Sequence, residues 1–250
     1  MLDTMSERIK KFKKIDAHSH VGYFGGWCDL GITPEQMIEQ MDEYNIEKSI
    51  ISTYPIQESI EAVDKFPDRI IGAAWVNPND GIKALEQIND TVTNHNFKAI
   101  KLHPLFHSYL PNDECVFPIA ELAAKLDIPL MIHTGHPPFS LPWSVAQLAE
   151  IYPQVKMVMI HMGHGNGMYI QSAIDMAKKY PNLYLETSGM PMHSKIKEGY
   201  EMVGNDRIMF GLDAPFHHPT VEIQRVLVSG LDDKSLEDVF YNNAAKLLNL

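Results

Sequence analysis

Eight short β-rich runs, each followed by a stretch whose apolar residues recur at helical spacing, extend along the whole chain. That alternation is what most narrows the folds open to it. The runs are 14–20, 48–53, 70–76, 98–103, 129–134, 155–161, 183–188 and 208–213. Helical spacing marks 33–44, with Pro34 in its first turn, then 81–94, 114–126, 144–152 and a closing helix from about Ser235. Repeated βα units call for a parallel sheet. The first run leads into Val21-Gly22-Tyr23-Phe24-Gly25-Gly26, which lacks the Gly-x-Gly-x-x-Gly spacing of an open dinucleotide-binding sheet. The expectation is therefore α/β, a closed (β/α)8 or TIM barrel, for which about 250 residues is the usual length. No linker or internal repeat divides it, so 1–250 reads as a single domain, with an N-terminal lead over 1–12 and a C-terminal helix over 235–250.

The net charge of −11 disfavours nucleic acid or an anionic membrane as partner, because phosphate binding needs a concentrated basic surface. The two cysteines, Cys28 and Cys115, lie far apart and read as free thiols of a reducing compartment. The charged start of the chain lacks the apolar core of a signal peptide, and no run of about 18 apolar residues occurs. A cytoplasmic protein acting on a small molecule is expected, with a possible homodimer.

Chemistry-bearing residues gather at the ends of these runs. His18 and His20 stand one residue apart in Ile-Asp-Ala-His-Ser-His, so that on an extended strand both project to one face and can close on a single cation. Alternation along the later runs sets Lys101 and His103 opposite Ile100 and Leu102, and His133 opposite Leu130 and Ile132. It likewise sets His161 with Met157 and Met159 opposite Val158 and Ile160, and Asp213 opposite Phe210 and Leu212. All are read as inward-facing and at the C-terminal strand ends, where barrel active sites assemble. Asp16 shares the parity of the first two histidines and is expected to orient one imidazole. His107, His164, His193, His217 and His218 are further candidates at the mouth, His217 and His218 following Asp213 closely enough to meet substrate. Tyr54, Trp75 and Asn77 are candidates for the pocket lining. The loops over 22–32, 105–113 and 135–143 are the longest and should shape specificity.

In this order the elements Ile-Asp-Ala-His18-Ser-His20, Ala-Ile-Lys101-Leu-His103-Pro, Ile-His133-Thr-Gly, Ile-His161-Met-Gly-His164-Gly and Phe-Gly-Leu-Asp213-Ala-Pro resemble the amidohydrolase superfamily. The likeness is greatest to the amidohydrolase-related branch that includes aminocarboxymuconate semialdehyde decarboxylase. The ending Tyr-Asn-Asn-Ala-Ala-Lys-Leu-Leu is similar as well. The resemblance implies a metal-dependent barrel with a divalent ion, zinc first and manganese or iron as alternatives; it leaves the count of ions open, and one ion is expected over two. It implies His18, His20, His133 and Asp213 as ligands, Asp213 also as a proton acceptor, and His161 as a catalytic residue. Lys101 has three readings: a carboxylated bridge between two metals, an ammonium that grips a substrate carboxylate, or a buried lysine paired with Glu186. His103, His164 and His217 are placed with it as substrate-binding or metal-bridging residues.

The leading expectation is metal-assisted hydrolysis of a small amide, lactone or ester, in which a cation acidifies water, Asp213 takes the proton and His161 assists the oxyanion or leaving group. The alternative is non-oxidative decarboxylation of a small carboxylic acid, with Asp213 or His161 handling protons. A third reading is a catalytically silent barrel that binds a ligand.

Overall fold

The computed structural model describes residues 5–26 and 28–250. Ten strands occur among them: β1 (Lys14–Ser19), β2 (Gly22–Phe24), β3 (Leu30–Ile32), β4 (Ile46–Ile51), β5 (Ile70–Trp75), β6 (Ala99–Leu102), β7 (Leu130–His133), β8 (Met157–Ile160), β9 (Leu183–Glu186) and β10 (Ile208–Met209). Eight form one sheet in the order β1-β4-β5-β6-β7-β8-β9-β10, every neighbouring pair parallel. Its two edges meet through the backbone. The Ala17 N–H donates to Phe210 O at 2.9 Å, the Asp213 N–H to His18 O at 2.6 Å and the His20 N–H to Ala214 O at 2.7 Å. The fold is the expected TIM barrel, and these three bonds bring the two ends of the chain's site together.

Local chemistry explains the punctuation. The helix Pro34–Tyr44 starts at Thr33, whose hydroxyl accepts from the Gln36 N–H while the Gln36 side chain returns the bond to the Thr33 N–H. It stops at Asn45 in a left-handed conformation. The segment expected as an N-terminal lead contains a helix, Met5–Lys11, and Ile9 and Phe12 are buried in the core. Just beyond it the buried Lys14 ammonium donates to the carbonyls of Ile9, Phe12 and Tyr44 at 2.6–2.9 Å. The closing helix is broken into Asp233–Glu237, a π-helical turn Asp238–Asn242 and Asn243–Leu248. The 22–32 loop is a small hairpin of β2 and β3. Among the described residues no helix is long and apolar enough to cross a membrane.

The apolar residues separate into two layers. Ile15, Ala17, Ile50, Ile71, Ala73, Ala99, Met131, Val158, Ile160 and Met209 fill the barrel, and Ala244, Leu247 and Leu248 of the last helix pack against them. The opposite faces, with Ile100, Leu102, Leu130, Ile132, Met157, Met159 and Phe210 among them, pack on the helices. This corrects the parity of the sixth barrel strand. Val158 and Ile160 point inward and Met157 and Met159 outward, so alternation alone would turn His161 away from the interior. It enters because the chain leaves β8 abruptly, with His161 at φ +69° and Met162 at +48°. On β1 a register shift between Asp16 and Ser19 lies between the inward Ile15 and Ala17 and the two histidines.

Candidate active site and metal centre

The histidines converge on a cavity of about 630 Å3 lined by His18, His20, Lys101, His103, His133, His136, His161, His164, Asp213 and His217, with aromatic walls from Phe24, Tyr54, Trp75, Phe106 and Phe216. Asp213, at φ +57°, and His161 are non-glycine residues in the left-handed region. Such backbone costs on the order of 1–3 kcal/mol and is concentrated where function demands a direction.

Donor atoms of His18, His161 and Asp213 all lie within 4.8 Å of one another. His18 Nε2 is 3.4 Å and His20 Nε2 is 3.2 Å from the same oxygen, Asp213 Oδ1. Backbone carbonyls determine which imidazole nitrogen carries the proton. His20 Nδ1 donates to Ser52 O, and His161 Nδ1 donates to Ser188 O at 3.0 Å, so in each neutral ring Nε2 holds a lone pair. His20 Nε2 therefore faces a carboxylate oxygen, and either a proton or a cation between them makes the contact favourable. Burial pushes His18, His133 and His161 well below the usual imidazole range, which keeps them neutral. Burial also works against ionisation of Asp213, but the hydrogen bond with His20 and the surrounding imidazoles outweigh it and hold the carboxyl at about 2. Neutral imidazoles around an ionised carboxylate are the donor chemistry a divalent metal requires.

Lys101 is fully buried, with Nζ 3.2 Å from His18 Nε2, and burial brings it down to about 7 against the opposing pull of Asp213 and Glu186. Glu186 takes its hydrogen bonds elsewhere: Oε2 accepts from the His161 N–H at 3.1 Å and the Ser188 hydroxyl at 2.8 Å, and Oε1 accepts from the Ser188 N–H. Burial raises it to about 8. Among the described residues no ion pair joins it to Lys101. Asp16 lies nearby without touching an imidazole. Its Oδ1 accepts the backbone N–H groups of His18 at 3.1 Å and Leu212 at 2.8 Å, and Oδ2 accepts from the Ser49 hydroxyl at 2.6 Å. It ties the first strand to both of its neighbours.

The other candidates divide by position. His133 Nε2 lies 2.8 Å from Nδ1 of His136, a residue the sequence reading passed over. His164 Nε2 is 3.3 Å from that same atom. His103 is stacked between His133 and Trp75, its Nδ1 accepting the Phe106 N–H at 3.2 Å. His107 Nε2 accepts from Trp75 Nε1 at 3.2 Å. His217 bridges two carboxylates, with Nε2 3.6 Å from Asp213 Oδ2 and Nδ1 3.3 Å from Oε1 of the buried Glu222. The hydrogen bond to Glu222 raises its pKa above the ordinary imidazole value, and Asp213 adds to this. His218 and Asn77 cap short helical segments, and His193 is exposed beside the helix Ser194–Val203.

Solved structures of similar shape share the barrel. A 5-carboxyvanillate decarboxylase of Novosphingobium aromaticivorans, solved with manganese and 4-hydroxy-3-methoxy-5-nitrobenzoic acid, is 17% identical, with a TM-score of 0.80 over 99% of this chain and 100% of that one. A 2,6-dihydroxybenzoate decarboxylase from Rhizobium is 16% identical, with a TM-score of 0.75 over 95% and 99%. A dihydroxybenzoic acid decarboxylase from Polaromonas sp. JS666, with manganese and 2-nitroresorcinol, is 18% identical, with a TM-score of 0.74 over 96% and 97%. At this identity the likeness establishes the fold. A family model described as Amidohydrolase matches residues 15–250, from the first barrel strand to the closing helix, and with that match the chain belongs to the amidohydrolase family.

Proposed function

We propose that the protein is a divalent-metal-dependent, non-oxidative decarboxylase of a small aromatic carboxylic acid. The observation that carries the reading is Lys101, a buried lysine beside His18 in a cavity walled by aromatic rings, where a bound carboxylate would favour its protonated form. It supplies a charge for a carboxylate, and the Phe24, Trp75, Phe106 and Phe216 rings supply flat apolar contact for a planar acid. The relatives of the same fold named above are decarboxylases of carboxylated phenols, which supports this alternative over the hydrolysis that the sequence put first.

His18, His20, His133 and Asp213 would hold the ion, with His161 beside them. The bound cation would supply positive charge that binds substrate oxygens and stabilises the electron pair left on the ring. In the reaction the bond from ring to carboxylate breaks, carbon dioxide leaves, and the ring carbon that keeps the electron pair takes one proton. Asp213 and His217 form the path for that proton: Oδ2 of Asp213 faces His217, and Glu222 keeps His217 basic enough to carry it. The aromatic walls keep bulk water from the reacting carbon.

The test is turnover by protein loaded with manganese or zinc, across hydroxybenzoic acids on one side and lactones, cyclic amides and esters on the other, with carbon dioxide detection. Release of carbon dioxide from an aromatic acid is expected. Turnover confined to lactones, amides or esters overturns the reading.

A further inference from the structure

Among the imidazoles that line the cavity, His103 has the place of its hydrogen decided by a group that can only donate. It follows β6 directly and caps the short helix Pro104–His107, its Nδ1 accepting the Phe106 N–H at 3.2 Å. Nδ1 must therefore carry a lone pair, and a ring with a bare Nδ1 is neutral and has its hydrogen on Nε2. Its neighbours are engaged differently. His20 and His161 set Nδ1 against carbonyl oxygens, and His107 Nε2 accepts from Trp75 Nε1 at 3.2 Å.

Packing fixes where the Nε2–H points. The ring of His103 lies between Trp75, at 5.2 Å between centroids and 13° between planes, and His133, at 3.9 Å and 14°. Turned over about its Cβ–Cγ bond, it would set a C–H against the Phe106 N–H and lose the hydrogen bond, so stack and cap together admit one orientation. Among the described residues Nε2 makes no hydrogen bond, and the side chain lines the cavity. Lys101, two residues earlier, lines it as well, while Ile100 and Leu102 pack on the helices. The two side chains thus leave one face of the same strand end, about 6–7 Å apart along the backbone, with His103 nearer the mouth.

We propose that His103 is a specificity-determining residue, a neutral donor of fixed direction whose Nε2–H binds an oxygen on the ring of the acid whose carboxylate faces Lys101. The inference rests on the decarboxylase reading above and adds a second point of recognition to it. A planar acid with a ring hydroxyl satisfies both donors, whereas a methyl group in its place leaves the Nε2–H facing an apolar group without a partner. A donor held in place before binding loses little freedom when it is engaged.

The test joins a spectrum to a binding panel, both on full-length zinc-loaded protein. Long-range proton–nitrogen NMR correlation of isotope-labelled histidine rings, with His103 identified by the signals missing from His103→Asn, should show hydrogen on Nε2 and a bare Nδ1. Calorimetric titration with the ortho-, meta- and para-hydroxybenzoates and the matching methylbenzoates should find a ring position at which hydroxyl is preferred to methyl by about 5- to 10-fold. Two variants separate the roles of the ring. His103→Asn keeps a side-chain oxygen for the Phe106 N–H but ends short of Nε2, and His103→Phe keeps the stack without any nitrogen. Both should retain zinc and lose the hydroxyl preference. Hydrogen on Nδ1, loss of zinc in His103→Asn, no hydroxyl preference in the parent, or a preference that survives in either variant overturns the inference and leaves the decarboxylase reading standing. A panel in which no acid binds removes that reading and the inference with it.

Discussion

Replacing Asp16 tests how the barrel is closed beneath the site. The carboxylate is buried and accepts two backbone N–H groups, from His18 and Leu212, together with the Ser49 hydroxyl. In Asp16→Ala the hydroxyl can turn to another acceptor, but the two backbone donors cannot move without parting the strands. At about 1–3 kcal/mol for each buried donor left unmade, the loss should be about 4 kcal/mol, a fall in melting temperature on the order of 10 °C for a chain of this size. Asp16→Asn keeps Oδ1 for both N–H groups and offers its amide to Ser49 Oγ as acceptor, so it should cost roughly 1 kcal/mol. The assay is reversible urea unfolding in the presence of chelator, which keeps metal binding out of the comparison. A loss below about 1 kcal/mol in Asp16→Ala, or equal losses in the two variants, would refute the reasoning. The pair also has a pH signature. Burial, partly offset by its hydrogen bonds, raises Asp16 from 3.8 to about 6. A carboxyl raised on folding stabilises the fold below its unfolded pKa and loses that contribution as pH rises through the folded value. Stability of Asp16→Asn relative to the parent should thus climb between about pH 4 and pH 6, by up to about 3 kcal/mol.

Lys101→Met should lower kcat/KM for a carboxylate substrate by about 10- to 100-fold, the worth of a charge-assisted hydrogen bond, while leaving bound metal unchanged; steady-state kinetics with metal analysis check both. Because Glu222 holds the pKa of His217 up and the proton carrier must be protonated, kcat should fall as pH rises through that raised value. Glu222→Gln should move this limb to lower pH, and a pH–rate profile that does not shift would remove His217 from the proton path. Gly135→Ala places a Cβ 2.7 Å from the backbone of Gly163 and His164 at φ +110°. It should destabilise the fold by about 2 kcal/mol or more, read by thermal unfolding.

The barrel was legible because its signal is repetitive. All eight barrel strands fall within the apolar runs or begin up to two residues from them, and the absence of a Gly-x-Gly-x-x-Gly turn excluded the open sheet. His18, His20, Lys101, His133 and Asp213 were found because a polar residue that ends an apolar strand has a position as well as an identity. Parity was the weaker guide. Parallel barrel strands are buried on both faces, so Met157-Val158-Met159-Ile160 alternates between two apolar layers and nothing in its composition marks the interior one. His161 reaches the cavity through left-handed backbone, and the register shift along β1 is equally silent in the residues.

What the sequence could not display is the direction of each proton, and the chemistry turns on it. The carbonyls of Ser52 and Ser188 come from strands and loops other than those of His20 and His161, yet they hold Nδ1 of both rings and turn Nε2 to the cavity. A histidine read only as a strand-end residue has no assigned direction; paired with a carbonyl behind it, it turns Nε2 to the cavity, where that atom can hold an ion or carry a proton. The same logic separates the two histidine clusters. Around Asp213 the Nε2 atoms of His18 and His20 face a carboxylate, and at the rim the Nε2 atoms of His133 and His164 face His136 Nδ1. A single proton on His136 Nδ1 makes one of the two rim contacts a hydrogen bond. The repeated His-x-Gly-His was the available sign of the second cluster, and it acquires meaning only when Gly135 and Gly165 are seen to bring the two loops into contact.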